Sequence, residues 1–144
     1  MKDNIVEVKG LEKKYNNFTA VKNISFSIKK GEILALLGPN GAGKTTTLEC
    51  LEGILYITEG EILVDGLNIK TNQSKIRKIM GIQLQSSSLP PTMTVEECLD
   101  LFCSYHNVNP SEELFKRFQL EELKKKCYGQ LSVGQQRRVV LAIA

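Results

Sequence analysis

The sequence predicts an α/β fold built around a strand–turn–helix unit, and three observations carry that prediction. Glu32–Leu37 is almost wholly apolar, the composition of a parallel strand buried on both faces. It runs directly into Gly38-Pro-Asn-Gly-Ala-Gly-Lys-Thr45, which has the Gly-x-x-x-x-Gly-Lys-Thr spacing of a phosphate-binding loop. From Lys44 to Leu55, leucines 48, 51 and 55 recur at helical spacing.

The other elements follow in order. Ile5–Val8 alternates weakly and reads as a strand. Val21–Ile28 contains another, with Ile24, Phe26 and Ile28 on one face, and Lys29-Lys30-Gly31 turns the chain toward the apolar run. Thr45-Thr46-Thr47 is poor helix interior, but it falls in a first turn, where the propensity cost is small. Glu61–Val64 and Leu67–Ile69 flank Asp65-Gly66, a hairpin dipeptide. Ile79–Gln85 reads as a strand by the alternation of Met80, Ile82 and Leu84. Ser86–Thr92 is a loop, because two prolines cannot continue a ladder. Thr94-Val-Glu-Glu97 is a capping-box pattern opening a helix to about His106. Pro110-Ser111 opens a second helix, and Leu120–Lys126 gives a short third. Gly129–Gly134 reads as a loop and Gln135–Ala144 as a final helix.

Bulk properties exclude several classes. A 144-residue chain, 42% hydrophobic and 24% charged, suits one soluble domain and not a disordered or fibrous one. The longest apolar run, Ile33–Leu37, is too short for a bilayer, and the polar N-terminus has no signal-peptide core, so a cytoplasmic location is expected. A net charge of +3 with no basic stripe among aromatics gives no reason to expect a nucleic-acid partner. Lys124-Lys125-Lys126 is read as a solvated face. Cys50, Cys98, Cys103 and Cys127 form no Cys-x-x-Cys pair and His106 stands alone, so free thiols are expected, not a zinc site or disulfides.

The phosphate loop has a physical reason for each residue type. Its glycines let successive N–H groups turn inward toward phosphate oxygens, and the helix that follows aims its unsatisfied N–H groups at the same anion. Lys44 supplies a mobile cation for the outer phosphates, and the Thr45 hydroxyl is a hard oxygen ligand for Mg²⁺. Many kinases, GTPases and ATPases share this loop, so other segments must choose among them.

Those segments resemble the ATP-binding-cassette family over essentially the whole chain. Gly38–Thr46 resembles that family's version of the loop, and Leu131-Ser-Val-Gly-Gln135 resembles its signature motif, usually Leu-Ser-Gly-Gly-Gln. Gln85 resembles the glutamine of the family's glutamine loop, with Gln83 as the rival position, and Tyr15 followed by Ala20-Val21 resembles its adenine-stacking aromatic. The lesser alternative for Tyr15 is an ordinary aromatic at a strand end.

The resemblance implies a P-loop NTPase (RecA-like) core with an antiparallel β subdomain and an inserted α-helical subdomain, ending before the Walker B strand. It implies that 1–93 form the β subdomain and phosphate-loop core, 94–134 the helical subdomain up to the signature loop, and 135–144 the signature helix. ATP and Mg²⁺ are the implied ligands. Tyr15, Val21, Asn40, Gly41, Ala42, Gly43, Lys44, Thr45 and Thr46 would hold the nucleotide, with Thr45 and Gln85 on the metal and Gln85 serving the catalytic step. Ser132, Gly134 and Gln135 would contact ATP held by a second subunit, at a second anion site. The partners implied are that second subunit and transmembrane permease subunits. The function implied is transport driven by ATP, with export favoured by the similarity of Gly81–Pro91 to drug- and antibiotic-export ATPases. A soluble non-transport ATPase of the same superfamily and a non-catalytic nucleotide-binding fragment are the alternatives.

Two departures stand out. Val133 replaces a glycine of the signature, and a β-branched residue restricts the backbone there. The family's Asp-Glu strand end, aspartate loop and switch histidine have no counterpart in these 144 residues, and His106 does not fill that last role. The chain is therefore expected to be part of a longer ATPase and to hydrolyse ATP very poorly alone.

Overall fold

The computed structural model describes residues 4–83 and 89–144, which form two compact units, one up to Met80 and one from Gly81.

The first unit is built on an antiparallel sheet. β1 (Asn4–Tyr15) and β2 (Phe18–Lys29) form a long hairpin whose last pair is Tyr15 and Phe18. Asn16 makes the turn with φ 49°, a left-handed conformation that asparagine tolerates. β3 (Glu59–Val64) pairs with β1, Val8 opposite Ile62, and β4 (Leu67–Asn68) closes the order β2-β1-β3-β4. Asp65 and Gly66 both have positive φ, as a two-residue type I′ hairpin requires. α1 (Lys44–Leu51) lays Thr47 and Cys50 into the core made by Val8, Leu11, Val21, Ile62 and Val64. A four-residue turn of helix, α2 (Gln73–Ile76), adds Ile76 to the same core.

One expected strand does not form, and the described part of another is irregular. Residues 32–37 have no ladder, with Ile33 96% and Leu37 88% exposed. A strand apolar on both faces needs neighbouring strands to pair with and layers to cover it, and no other described segment pairs with it. Residues 79–83 are likewise irregular, and the rest of that expectation, Leu84 and Gln85, lies outside the described residues. The helix from Lys44 also ends earlier than the leucine spacing suggests, at Leu51, where Glu52, Gly53 and Ile54 close it with backbone bonds to Leu48, Cys50 and Glu49.

The second unit is helical. α3 (Val95–Tyr105) starts at the expected capping box: the Thr94 hydroxyl accepts from Glu97 N–H at 3.2 Å, and Thr94 N–H donates to Glu97 Oε2 at 2.7 Å. α4 (Glu112–Arg117) is capped by Ser111, and the expected third helix is a single 3₁₀ turn at Glu121–Leu123. α5 (Val133–Ile143) begins two residues earlier than the sequence pattern suggests. Val95, Cys98 and Leu99 of α3 pack with Phe115, Leu120, Leu123, Tyr128, Leu131, Val139 and Val140. Lys124 is not simply solvated: it contacts both carboxylate oxygens of Glu112, at 2.6 and 2.8 Å, and lies 4.2 Å from the Phe115 ring centre.

Candidate functional site

Residues 38–46 make a loop that delivers the chain onto the first turn of α1. Gly43 is the N-cap, with φ +82°, and a Cβ there would collide with the Ala20 carbonyl oxygen of β2. Glycine thus lets α1 dock its N-terminus directly on the sheet. Thr47, buried, returns its hydroxyl to Gly43 O at 2.8 Å and ties the first turn down.

The N-terminus of α1 has no side-chain cap. Among the described residues, the N–H groups of Lys44, Thr45 and Thr46 have no protein partner. Three convergent donors at a positive helix end make a phosphate-oxygen site in chemical terms. The Lys44 ammonium sits at the same loop, donating to Gly38 O at 2.8 Å and Pro39 O at 2.6 Å. The Thr45 side chain faces solvent and Thr46 is half-buried. The donor set is cationic and N–H-rich with a hydroxyl beside it, which fits a polyphosphate with a hard divalent cation.

Val21 is buried on β2 beside this helix start, and its Cγ2 would lie 3.3 Å from a Cβ at Gly43. Tyr15 ends β1 and is 43% exposed. Asn40, Gly41 and Ala42 are exposed on the loop. Gln85 lies outside the described residues, so its position relative to the loop is not part of this geometry.

In the second unit Ser132, Gly134 and Gln135 come together at the start of α5. The Ser132 hydroxyl accepts from Gln135 N–H at 3.3 Å, and Gln135 Oε1 accepts from Ser132 N–H at 2.9 Å. This second capping box was visible in the sequence as Ser-x-x-Gln, but a loop was expected through Gly134. The N–H groups of Val133 and Gly134 have no partner among the described residues, and a Cβ at Gly134 would meet nothing within 4 Å. Val133 is the first helical residue, an ordinary place for a β-branched side chain, and it points to solvent. Its substitution for glycine therefore strains nothing here.

The four cysteines are free, and burial pushes the Cys50 and Cys98 thiols up, away from reactivity. No group of acidic, cysteine or histidine side chains among the described residues could hold a metal by itself. None of the described helices is long and apolar enough to cross a membrane.

A phosphate loop on an anchored helix and a serine-capped signature helix define a nucleotide-binding cassette, and comparison with known proteins bears this out. The chain belongs to the ABC transporter family, whose sequence model matches residues 21–144. It is 39% identical to the SkfA peptide export ATP-binding protein SkfE of Bacillus subtilis, over 96% of this chain and 59% of that protein. It is 37% identical to the zinc import ATP-binding protein ZnuC of Rickettsia bellii, over 99% of this chain and 58% of that protein. The structure of cbiO1 from Clostridium perfringens, part of the cbiONQ ABC transporter complex, superposes with a TM-score of 0.81 at 31% identity, covering 99% of this chain and 61% of that one. The chain thus spans about three fifths of the length of each.

Proposed function

We propose that this chain is the nucleotide-binding portion of a transporter ATPase, holding MgATP through Asn40, Gly41, Ala42, Gly43, Lys44, Thr45 and Thr46. The observation that carries the reading is the uncapped start of α1, with three N–H groups and the Lys44 ammonium at one short loop. In this reading Lys44 leaves the loop carbonyls for the outer phosphates and Thr45, with Gln85, ligates Mg²⁺, which offsets the phosphate charge. Tyr15 stacks on adenine and Val21 lines the base-proximal wall. Ser132, Gly134 and Gln135 face ATP on a second copy, their helix start serving as the second anion site. Residues 1–93 supply the sheet and phosphate loop, 94–134 the helical subdomain, and 135–144 the signature helix.

ATP binding and hydrolysis by the whole protein would drive a permease, with the ATPase dimer peripheral on the cytoplasmic face of the membrane. The groups that activate water belong to family segments without a counterpart in this sequence, so these residues bind ATP and hydrolyse it very slowly. SkfE and ZnuC bear names of opposite transport direction at nearly equal identity, so export rests on the Gly81–Pro91 resemblance alone.

Calorimetry with ATP and Lys44→Ala tests the central claim. Loss of a charge-assisted contact predicts affinity lower by about 10- to 100-fold. Unchanged affinity would remove the phosphate loop from the site.

A further inference from the structure

We propose that Lys13 is a positioning residue for the nucleotide base: its ammonium holds one face of the Tyr15 ring and leaves the other face for adenine. The proposal rests on the stacking role given to Tyr15 above. Lys13 Nζ lies over the Tyr15 ring, 4.8 Å from its centre, and donates to the Tyr56 carbonyl at 2.8 Å. One side chain therefore links the end of the β1–β2 hairpin to the segment after α1. Lys13 stands opposite Val21 in the β1–β2 register, and Val21 approaches the start of α1 beside the Ala20 carbonyl on which Gly43 sits. Base-side and phosphate-side elements meet in one cross-strand pair.

The Lys13 ammonium is shared between the Tyr56 carbonyl and the Tyr15 ring. Its neighbour Lys14 takes the carboxylates, pairing with Glu12 and, at 3.9 Å, with Glu59. Among the described residues Lys13 forms no ion pair, so a carbonyl and an aromatic face are its partners. A cation on one face fixes the ring's orientation and draws on its negative quadrupole. An exposed tyrosine would otherwise lose rotamer freedom each time a base stacked on it, and prior fixation removes that cost.

The reading to make is the ratio of affinities for ATP and for inorganic tripolyphosphate, which lacks the base, in the wild type, K13M, K13Q, K13R and Y15A. K13M and K13Q should lower the ratio by roughly three- to tenfold, and K13R should restore it. K13Q keeps an amide donor for the Tyr56 carbonyl but not the charge. A purely structural tie would therefore be rescued by K13Q, and that result overturns the proposal. A K13M that changes both affinities equally, or neither, also overturns it. Should K13M fail to fold, K13Q against K13R still decides. If Y15A leaves the ratio unchanged, the stacking reading itself fails. If Y15A lowers it and the Lys13 variants do not, only the Lys13 role falls.

Discussion

Gly43→Ala is the sharpest test of how the phosphate loop is held, because a matched control lies two residues away. Gly41 and Gly43 have nearly the same backbone angle, φ +81° and +82°. A Cβ at Gly41 meets nothing within 4 Å, whereas one at Gly43 meets the Ala20 carbonyl oxygen and, at 3.3 Å, Val21 Cγ2. Gly41→Ala therefore carries the left-handed penalty alone, about 1–2 kcal/mol, offset in part by the stiffer unfolded chain at about 0.4–1 kcal/mol. Gly43→Ala adds a backbone collision that α1 and β2 relieve only by moving apart, at about 1–3 kcal/mol by analogy with overpacking. The difference between the variants should be about 2 kcal/mol. With a urea slope of about 1–3 kcal/mol/M, that separates their midpoints by roughly 1 M. Urea unfolding followed by circular dichroism measures it, with equal slopes as the check on a shared unfolded state. Coincident midpoints would mean that α1 does not rest on Ala20, and the anchoring argument would fall.

Two predictions concern the second unit. Thr94→Ala removes one arm of the capping box on α3 and should lower stability by about 1 kcal/mol, measured by urea unfolding; no loss would show that the box is ornamental. The Glu97 carboxyl is held below its ordinary value of 4.5, chiefly by the hydrogen bond from Thr94 N–H and then by the Thr94 hydroxyl contact, with burial opposing weakly. Because the folded value is depressed, its contribution is complete above pH 4.5 and disappears as pH falls through the lower folded value. Thermal melts should therefore show wild type above Glu97→Gln at neutral pH and a shrinking gap in acid, and a gap constant down to pH 3 would contradict the assignment.

What the sequence made legible was local chemistry. The Thr94–Glu97 box, the Ser111 cap, the Asp65-Gly66 hairpin and the start of α1 depend on contacts within a few residues, and all four appear where the pattern put them. The early start of α5 was also encoded, in Ser132 and Gln135, but the glycine between them read as a loop signal. The missed features are long-range. Nothing near Lys13 in sequence points to Tyr56, and nothing near Gly43 points to Ala20. The apolar run at 32–37 shows the converse, since its composition states what a strand there would need and cannot supply the neighbours.

That contrast bears on how the phosphate loop works. Its helix end is fixed by the antiparallel sheet, through Gly43 on Ala20, Thr47 on Gly43, and the buried Cys50. Its strand end has no ladder among the described residues; the Lys44 ammonium holds the Gly38 carbonyl toward α1 and shares the Pro39 carbonyl with the Ala42 N–H. The three unpartnered N–H groups thus belong to the rigid end, ready for an anion without rearrangement. The cation belongs to both ends, and a phosphate must compete with two carbonyls for it. Any strand neighbour that fixed residues 32–37 in a sheet would take over the task of holding Gly38 and release Lys44 for phosphate. If residues 32–37 gain a strand neighbour, phosphate affinity should therefore rise, and tripolyphosphate titration with and without that neighbour checks it; equal affinities would refute the coupling.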